Sequence, residues 1–308
     1  MFKSIFLFCA VSLSISQAKF TVAITKFVPH PSLDAIEQGV RDALASSGLE
    51  IDIIADSAQA NVAIAAQIAK KYVGKKVDLI VPITTPSAQT VYQVAKKSQI
   101  PVVFAGVSDP VAAKLIGSQT KKGDGITGVS DVSPIKAQVD LIKTLQPTIK
   151  TIGIVYNPSE ANSVAVLERF SQEATHQNIL IKTFACLSVS DLMMIIKSIP
   201  GKVDALYLPN DNTVISGLDV ILKNLKDLPI YAADPESVAR GCLGCVALGQ
   251  YEIGFKAGQL AISVLKGTSP GSLEVIEATD AKTLINPSVA KRLNILIPEK
   301  LSFKLTGE

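Results

Sequence analysis

The 308-residue sequence has no tryptophan, only two histidines (His30 and His176) and four cysteines. Scarcity of histidine and cysteine bears on metal chemistry, because a structural zinc site generally takes four nitrogen or sulfur ligands. Cys242 and Cys245 have the spacing of half such a site, with no second pair and no histidine near them. They read as a local disulfide or as two inert thiols, and Cys186 as a small buried hydrophobe. Charge of one sign does not accumulate: 30 basic and 27 acidic side chains leave a formal +3 without a block of either kind. That pattern gives no electrostatic footprint for nucleic acid or anionic lipid. Beyond residue 18 no apolar run approaches the ~20 residues of a membrane helix, so the mature protein is expected not to span a membrane.

Catalytic signatures are missing too. The sequence contains no P-loop, H-E-x-x-H or EF-hand, and no nucleophile is paired with a histidine base, so neither enzymatic activity nor a cofactor is expected. Gly123-Asp124-Gly125-Ile126-Thr127-Gly128 matches G-x-G-x-x-G. However, it follows Lys121-Lys122 and leads into the strand-like Ile126–Val129 instead of opening a helix, so it is assigned to a turn.

What the sequence does have begins with a leader. Lys3 precedes an apolar run from Ile5 to Val11, followed by small and polar residues ending Ser16-Gln17-Ala18, the order of a cleavable secretory signal. Residues 1–18 are therefore expected to be removed and the mature protein to be periplasmic. Cys9 lacks the sequence context of a lipid-attachment site.

From Phe20 onward, apolar strand-like runs alternate with segments of helical periodicity, the rhythm of parallel βαβ units. Strands are predicted over Phe20–Thr25, Ile51–Ala55, Val77–Pro82, Pro101–Val107, Thr151–Tyr156, Leu180–Phe184, Val203–Leu208 and Ile230–Ala233. Helices are predicted over Pro31–Leu49, Ala60–Tyr72, Pro86–Lys97, Pro134–Leu145, Glu160–Thr175, Val189–Ile199, Val214–Leu225 and Tyr251–Lys266. The unit occurs in two blocks, which gives an α/β chain of two Rossmann-like, doubly wound lobes. The first lobe is expected to hold residues 19–129 plus about 251–270, the second 130–250 plus about 271–308.

In such sheets ligands bind beyond the carboxyl ends of the strands. The candidate binding residues are therefore Thr25 and Phe27 after the first strand, Thr84 and Thr85 after the third, and Asp109 after the fourth. In the second block they are Asn157, Glu160, Asn162, Ser163, Asp211 and Asn212. Thr85 before Pro86, and Ser159 after Asn157, are placed to expose N–H groups at helix starts, which bind anions such as a carboxylate. Asp109 and Asp211 are acceptors for an ammonium group, and Phe27 offers a ring to an apolar ligand moiety. An α-amino acid zwitterion matches that mixture, although the same residue types are ordinary caps and turn formers. His30 reads as a turn cap or a cleft gate, and Tyr156 and Tyr251 as packing residues.

Several strings at these loops resemble a bacterial family of ABC-transporter substrate-binding proteins that includes tryptophan- and tyrosine-binding members. They are Ile24–Ala35, Thr85-Pro86-Ser87-Ala88-Gln89, Val107–Val111, Thr127–Asp131, Tyr156–Ser163 and Pro209–Asn212, in the family's order and over almost the whole mature chain. The resemblance implies a type I periplasmic binding fold: two lobes, three crossings and a ligand enclosed by hinge closure. It also implies a monomer that serves an ABC permease and binds an aromatic or other apolar amino acid. Gln250-Tyr251 stands where relatives commonly have Asp-Tyr, which places Gln250 at the pocket edge. A periplasmic sensor, an adhesin, or the same fold with a sugar or nucleoside ligand are the alternatives.

Overall fold

The structure, a computed structural model, describes residues 19–117, 122–299, 301 and 304–305. The expected signal, residues 1–18, lies outside them. The first block runs β1 (Phe20–Lys26), α1 (Pro31–Ala45), β2 (Ile51–Ser57), α2 (Val62–Gly74), β3 (Leu79–Ile83), α3 (Thr85–Ala95), β4 (Val102–Val107) and β5 (Ile126–Ser130). The second runs α4 (Ile135–Leu145), β6 (Thr151–Tyr156), α5 (Ala161–His176), β7 (Leu180–Ala185), α6 (Leu192–Lys197), β8 (Ala205–Leu208), α7 (Asn212–Ser216), α8 (Leu218–Asn224), β9 (Ile230–Ala232), α9 (Pro235–Arg240) and β10 (Gly244–Leu248). The chain ends with α10 (Gln250–Leu265), β11 (Ile276–Glu277), β12 (Ala281–Ile285), α11 (Pro287–Arg292) and β13 (Lys304–Leu305).

Among the described residues the strands form two sheets, ordered β2-β1-β3-β4-β5-β11 and β7-β6-β8-β9-β10-β12-β13. Both begin with the 2-1-3-4-5 order of a doubly wound lobe. The central strands β3, β4, β5, β8 and β10 are buried along their whole length, as continuous apolar runs covered by helices on both faces require. Antiparallel β12 beside β10 is the exception to the parallel pairing.

Three segments connect the lobes: 131–134 between β5 and α4, Gly249 between β10 and α10, and 278–280 between β11 and β12. The last lies later than the boundary expected near residue 270, because β11 pairs with β5 and keeps the chain in the first sheet. Two residues of edge strand are too short to read as a period. α10 packs against α1 at close range: a side chain on Gly254 would collide with the Ile36 carbonyl, and one on Gly39 with the Tyr251 carbonyl. The helix predicted over Val214–Leu225 is two helices, α7 and α8, broken at Gly217, where a Cβ would strike Leu192. Two elements that the sequence pattern did not predict, α9 and α11, begin at Asp234-Pro235 and Asn286-Pro287, and in each the polar residue caps the helix.

Candidate ligand-binding site

The carboxyl ends of both sheets face one another across a cavity of about 490 Å³ including its mouth. The first lobe contributes Val28, His30, Ser32, Leu33, Ile36, Thr84, Thr85, Gly106 and Ser108 to its wall. From the second lobe come Asn162, Asn210, Asp211, Asn212, Ile215 and Asp234, from a crossing Asp131, and from the start of α10 Gln250. The cavity therefore has an aliphatic part (Val28, Leu33, Ile36, Ile215) and three carboxylates, and among the described residues no lysine or arginine lines it.

Thr84 is the sole residue between β3 and α3, so it must turn the chain sharply. Its φ of 76° and ψ of 162° lie in a region otherwise left to glycine, at a cost of about 1–3 kcal/mol. No side chain caps α3, so the N–H groups of Thr85 and Ser87 have no intrahelical partner. The hydroxyls of Thr84 and Ser87 are buried without hydrogen-bond partners among the described residues. Together these groups make a donor-rich corner suited to a carboxylate.

Asp131 supplies the opposite charge. Its Oδ2 accepts from Asn210 Nδ2 over 3.1 Å, whereas its Oδ1 is buried with no partner. Burial pushes its carboxyl up to about 6, against smaller pulls from Ser108 and Asn210. Such a group is satisfied by a cation that brings its own charge and donors.

Asp211 behaves differently. Its Oδ2 accepts from Asn157 N and Ser163 Oγ, each over 2.5 Å, and its Oδ1 caps α7 through Val214 N over 2.9 Å. Burial, then the neighbouring Glu160, raises it to about 7. Glu160 in turn accepts from the N–H groups of Asn212 and Thr213, both over 3.0 Å. The start of α7 is thus already supplied with acceptors, in contrast to α3.

Of the residues singled out from sequence, Thr84, Thr85, Asn162, Asp211, Asn212 and Gln250 line the cavity. Asn157, Glu160 and Ser163 stand behind the wall and hold Asp211 and α7. Thr25 is buried in β1 and absent from the wall. Phe27 is a correction: its ring is not offered to a ligand but lies in the first lobe's core, 4% exposed, and its neighbour Val28 faces the cavity instead. Asp109 also stands elsewhere, capping Ala112 N and pairing with Arg169 Nη2 over 3.7 Å outside the cavity. Asp131 and Asp234 were missed as candidates. Asp131 follows β5, which sequence analysis read only as strand-like, and Asp234 follows β9 with the helix-start signal Asp-Pro in plain view.

The lobes are closed on one another. Ser32 Oγ donates to Asp234 Oδ1 over 2.8 Å, Arg240 Nη1 is 3.0 Å from His30 Nε2, and Asn210 bonds Asp131 at the crossing.

The sequence profile of the family described as ABC transporter substrate binding protein matches residues 21–306. The tyrosine-binding protein of Clostridioides difficile (strain R20291) is 36% identical over 293 residues, covering 93% of this chain and 84% of that protein. A Streptococcus pneumoniae ABC domain in complex with L-Trp superposes with a TM-score of 0.88 at 34% identity, covering 92% of this chain and 97% of the other. The ligand-free, open structure of a Clostridium difficile substrate-binding protein with adhesive properties gives 0.70 at 32% identity, covering 93% and 98%. At nearly equal identity the better fit to the ligand-bound relative accords with the closed lobes. This chain belongs to the ABC transporter substrate-binding protein family and has the two-lobed fold of type I periplasmic binding proteins.

Proposed function

We propose that the protein captures one aromatic or other apolar α-amino acid outside the cytoplasm, as a monomer, and delivers it to the permease of an ABC importer. In this reading residues 1–18 direct export to the periplasm and are then removed. The observation that carries it is the pairing, in one cavity, of a partnerless buried carboxylate oxygen on Asp131 with the uncapped start of α3. The ligand ammonium binds Asp131. Its carboxylate takes the N–H groups of Thr85 and Ser87 and the Thr84 hydroxyl. Its side chain lies between Ile36 and Ile215, one from each lobe, where desolvation of apolar surface supplies affinity. Asp211 is a positioning residue, since three donors already occupy it.

The names of the relatives agree with that ligand class: one is a tyrosine-binding protein and one was solved with L-Trp. The reading assigns no chemical step to the cavity. Thermal-shift and calorimetric titration of the mature protein with the twenty amino acids, a sugar panel and a nucleoside panel tests it. Saturable stabilisation by tyrosine, tryptophan, phenylalanine or a branched amino acid is the expected result. A response confined to a sugar or nucleoside would overturn the ligand class.

A further inference from the structure

Asp131 is not alone in the cavity wall in having a buried oxygen that meets no donor. Asn162, buried at the start of α5, donates its Nδ2 to the Asn210 carbonyl over 2.6 Å, while its Oδ1 has no partner among the described residues. A carbonyl only accepts, so that bond fixes which way the amide faces and leaves Oδ1 as the end on offer. Gln250 repeats the arrangement from the start of α10. Its Nε2 donates to the Leu248 carbonyl over 3.2 Å, so its Oε1 is likewise an acceptor held in place.

Asn210 draws these acceptors together. Its carbonyl takes the Asn162 amide, and its side-chain Nδ2 reaches Asp131 Oδ2 over 3.1 Å, so Asp131 and Asn162 are tied to one residue. Gln250 joins them behind the wall, where a void of about 150 Å³ borders Asp131, Asn210 and Gln250 alike. The three acceptors come from a crossing, from the second lobe and from the helix that re-enters the first lobe. Their mutual spacing is therefore set by closure.

A buried acceptor without a donor is uncommon, because it has given up water for nothing. A group of them marks the place of a donor-rich atom. Of the three only Asp131 carries charge, so together they present one negative charge and three acceptor oxygens. A primary ammonium presents one positive charge and three N–H donors. The nearby carboxylate of Asp211 does not compete, since Asn157, Ser163 and Val214 already occupy it.

On the reading that the cavity takes an amino acid, we propose that Asp131 Oδ1, Asn162 Oδ1 and Gln250 Oε1 form a three-point cradle for a primary ammonium group, which makes a free α-amine a condition of binding. Asn162 and Gln250 are then specificity-determining residues. An Nα-methyl group in place of one N–H leaves a buried oxygen without its donor and sets carbon against it. A site that pairs a polar group rejects an analogue lacking that group far more strongly than an apolar pocket rejects one methyl of misfit. Proline and Nα-methyl amino acids are thus excluded although they keep both charges of the zwitterion.

Calorimetric titration of the mature protein tests this with four matched pairs: L-tyrosine, L-tryptophan, L-phenylalanine and L-leucine, each beside its Nα-methyl derivative. Every parent that binds is expected to outbind its derivative at least tenfold. In Asn162→Ala and in Gln250→Ala the parent should bind about tenfold more weakly and the derivative about as it does in the wild type, so the ratio narrows. A purely structural loss would weaken both ligands alike and leave the ratio where it was. Discrimination below tenfold in the wild type, a comparison that needs no variant to fold, would overturn the cradle and leave the amino acid reading standing. A ratio unchanged in both variants would do the same. If no amino acid binds, the reading and the cradle fall together.

Discussion

Arg240 Nη1 and His30 Nε2 meet at 3.0 Å across the line between the lobes, while His30 Nδ1 accepts from Ser32 N over 3.3 Å at the start of α1. Both ring nitrogens thus face N–H donors, and a neutral imidazole has only one bare nitrogen to offer. Protonation would leave no acceptor and would set a cation against the guanidinium. Burial lowers the His30 pKa, with Arg240 adding to the fall and Asp234 opposing it. Arg240→Ala removes the contact from the closed form only. Apparent ligand affinity should fall about 3- to 10-fold, for a contact worth about 0.5–1.5 kcal/mol, with little change in melting temperature. Calorimetry with small-angle scattering of the ligand-free protein checks this, since the variant should be the more open.

Asp131→Asn keeps the bond to Asn210 within reach of its side chain and removes the charge proposed to meet the ligand ammonium. Affinity should fall by roughly 10- to 100-fold, the loss of a charge-assisted bond of about 1.5–3 kcal/mol. The fold should be no less stable, because an uncompensated buried carboxylate disappears. Unchanged affinity in calorimetry would remove Asp131 from the role of ammonium acceptor.

The same residue gives the pH dependence. Asp131 ionises near 3.8 when unfolded and near 6 when folded. Between about pH 4 and 6 the ligand-free fold keeps a proton that the unfolded chain has released, so this group's contribution to stability falls as pH rises through that window. Binding an ammonium requires the ionised form. Affinity should therefore climb with pH to about 6 and then level, with proton release on binding below it. Calorimetry at about pH 5.5 in two buffers of different ionisation enthalpy would detect the proton, and Asp131→Asn should abolish it.

Thr84 separates strain from recognition. Thr84→Gly relieves the backbone and should raise stability by up to about 1 kcal/mol after the entropic cost of glycine. Thr84→Ala keeps the strain. Both lose the hydroxyl, so both should bind the ligand more weakly by a similar factor in calorimetry while only the glycine variant melts later.

Asp211→Ala strips the acceptor from Asn157 N, Ser163 Oγ and Val214 N at once. A stability loss of about 2–4 kcal/mol is expected in urea titration, larger than any loss from Asp131→Asn. At low temperature, with both variants folded, affinity should suffer less than in Asp131→Asn.

Much of the fold was legible because its signal is simple. β3, β4 and β8 sit under helices on both faces, so their burial is written as uninterrupted apolar runs. β11 carries no such run and owes its existence to β5 beside it. The candidate site was legible in its polar half, since Thr84 and Asp211 follow strands whose ends topology sends to the cleft and Asn162 lies in the first turn of α5. Its apolar half was not: Ile36 and Ile215 stand at helical positions that look the same whether they meet core or cavity. Phe27 and Val28 show how fine the margin is, because a turn of one residue decides which side chain enters the cleft, and that turn is set by tertiary packing.

Asp131 stands on one of the three crossings that join the lobes and Gln250 directly after another, at the start of α10, and both border the cavity. A ligand seated there touches the joints as well as the jaws. Bending those joints and recognising the guest are then tasks of the same atoms, so a change that loosens one crossing also changes what fits. The third crossing, at 278–280, has no place in the wall and serves as a tether. Directed evolution toward a new solute is therefore expected to pass through 131 and 250 at the expense of opening and closing, and tuning of the motion alone to pass through 278–280.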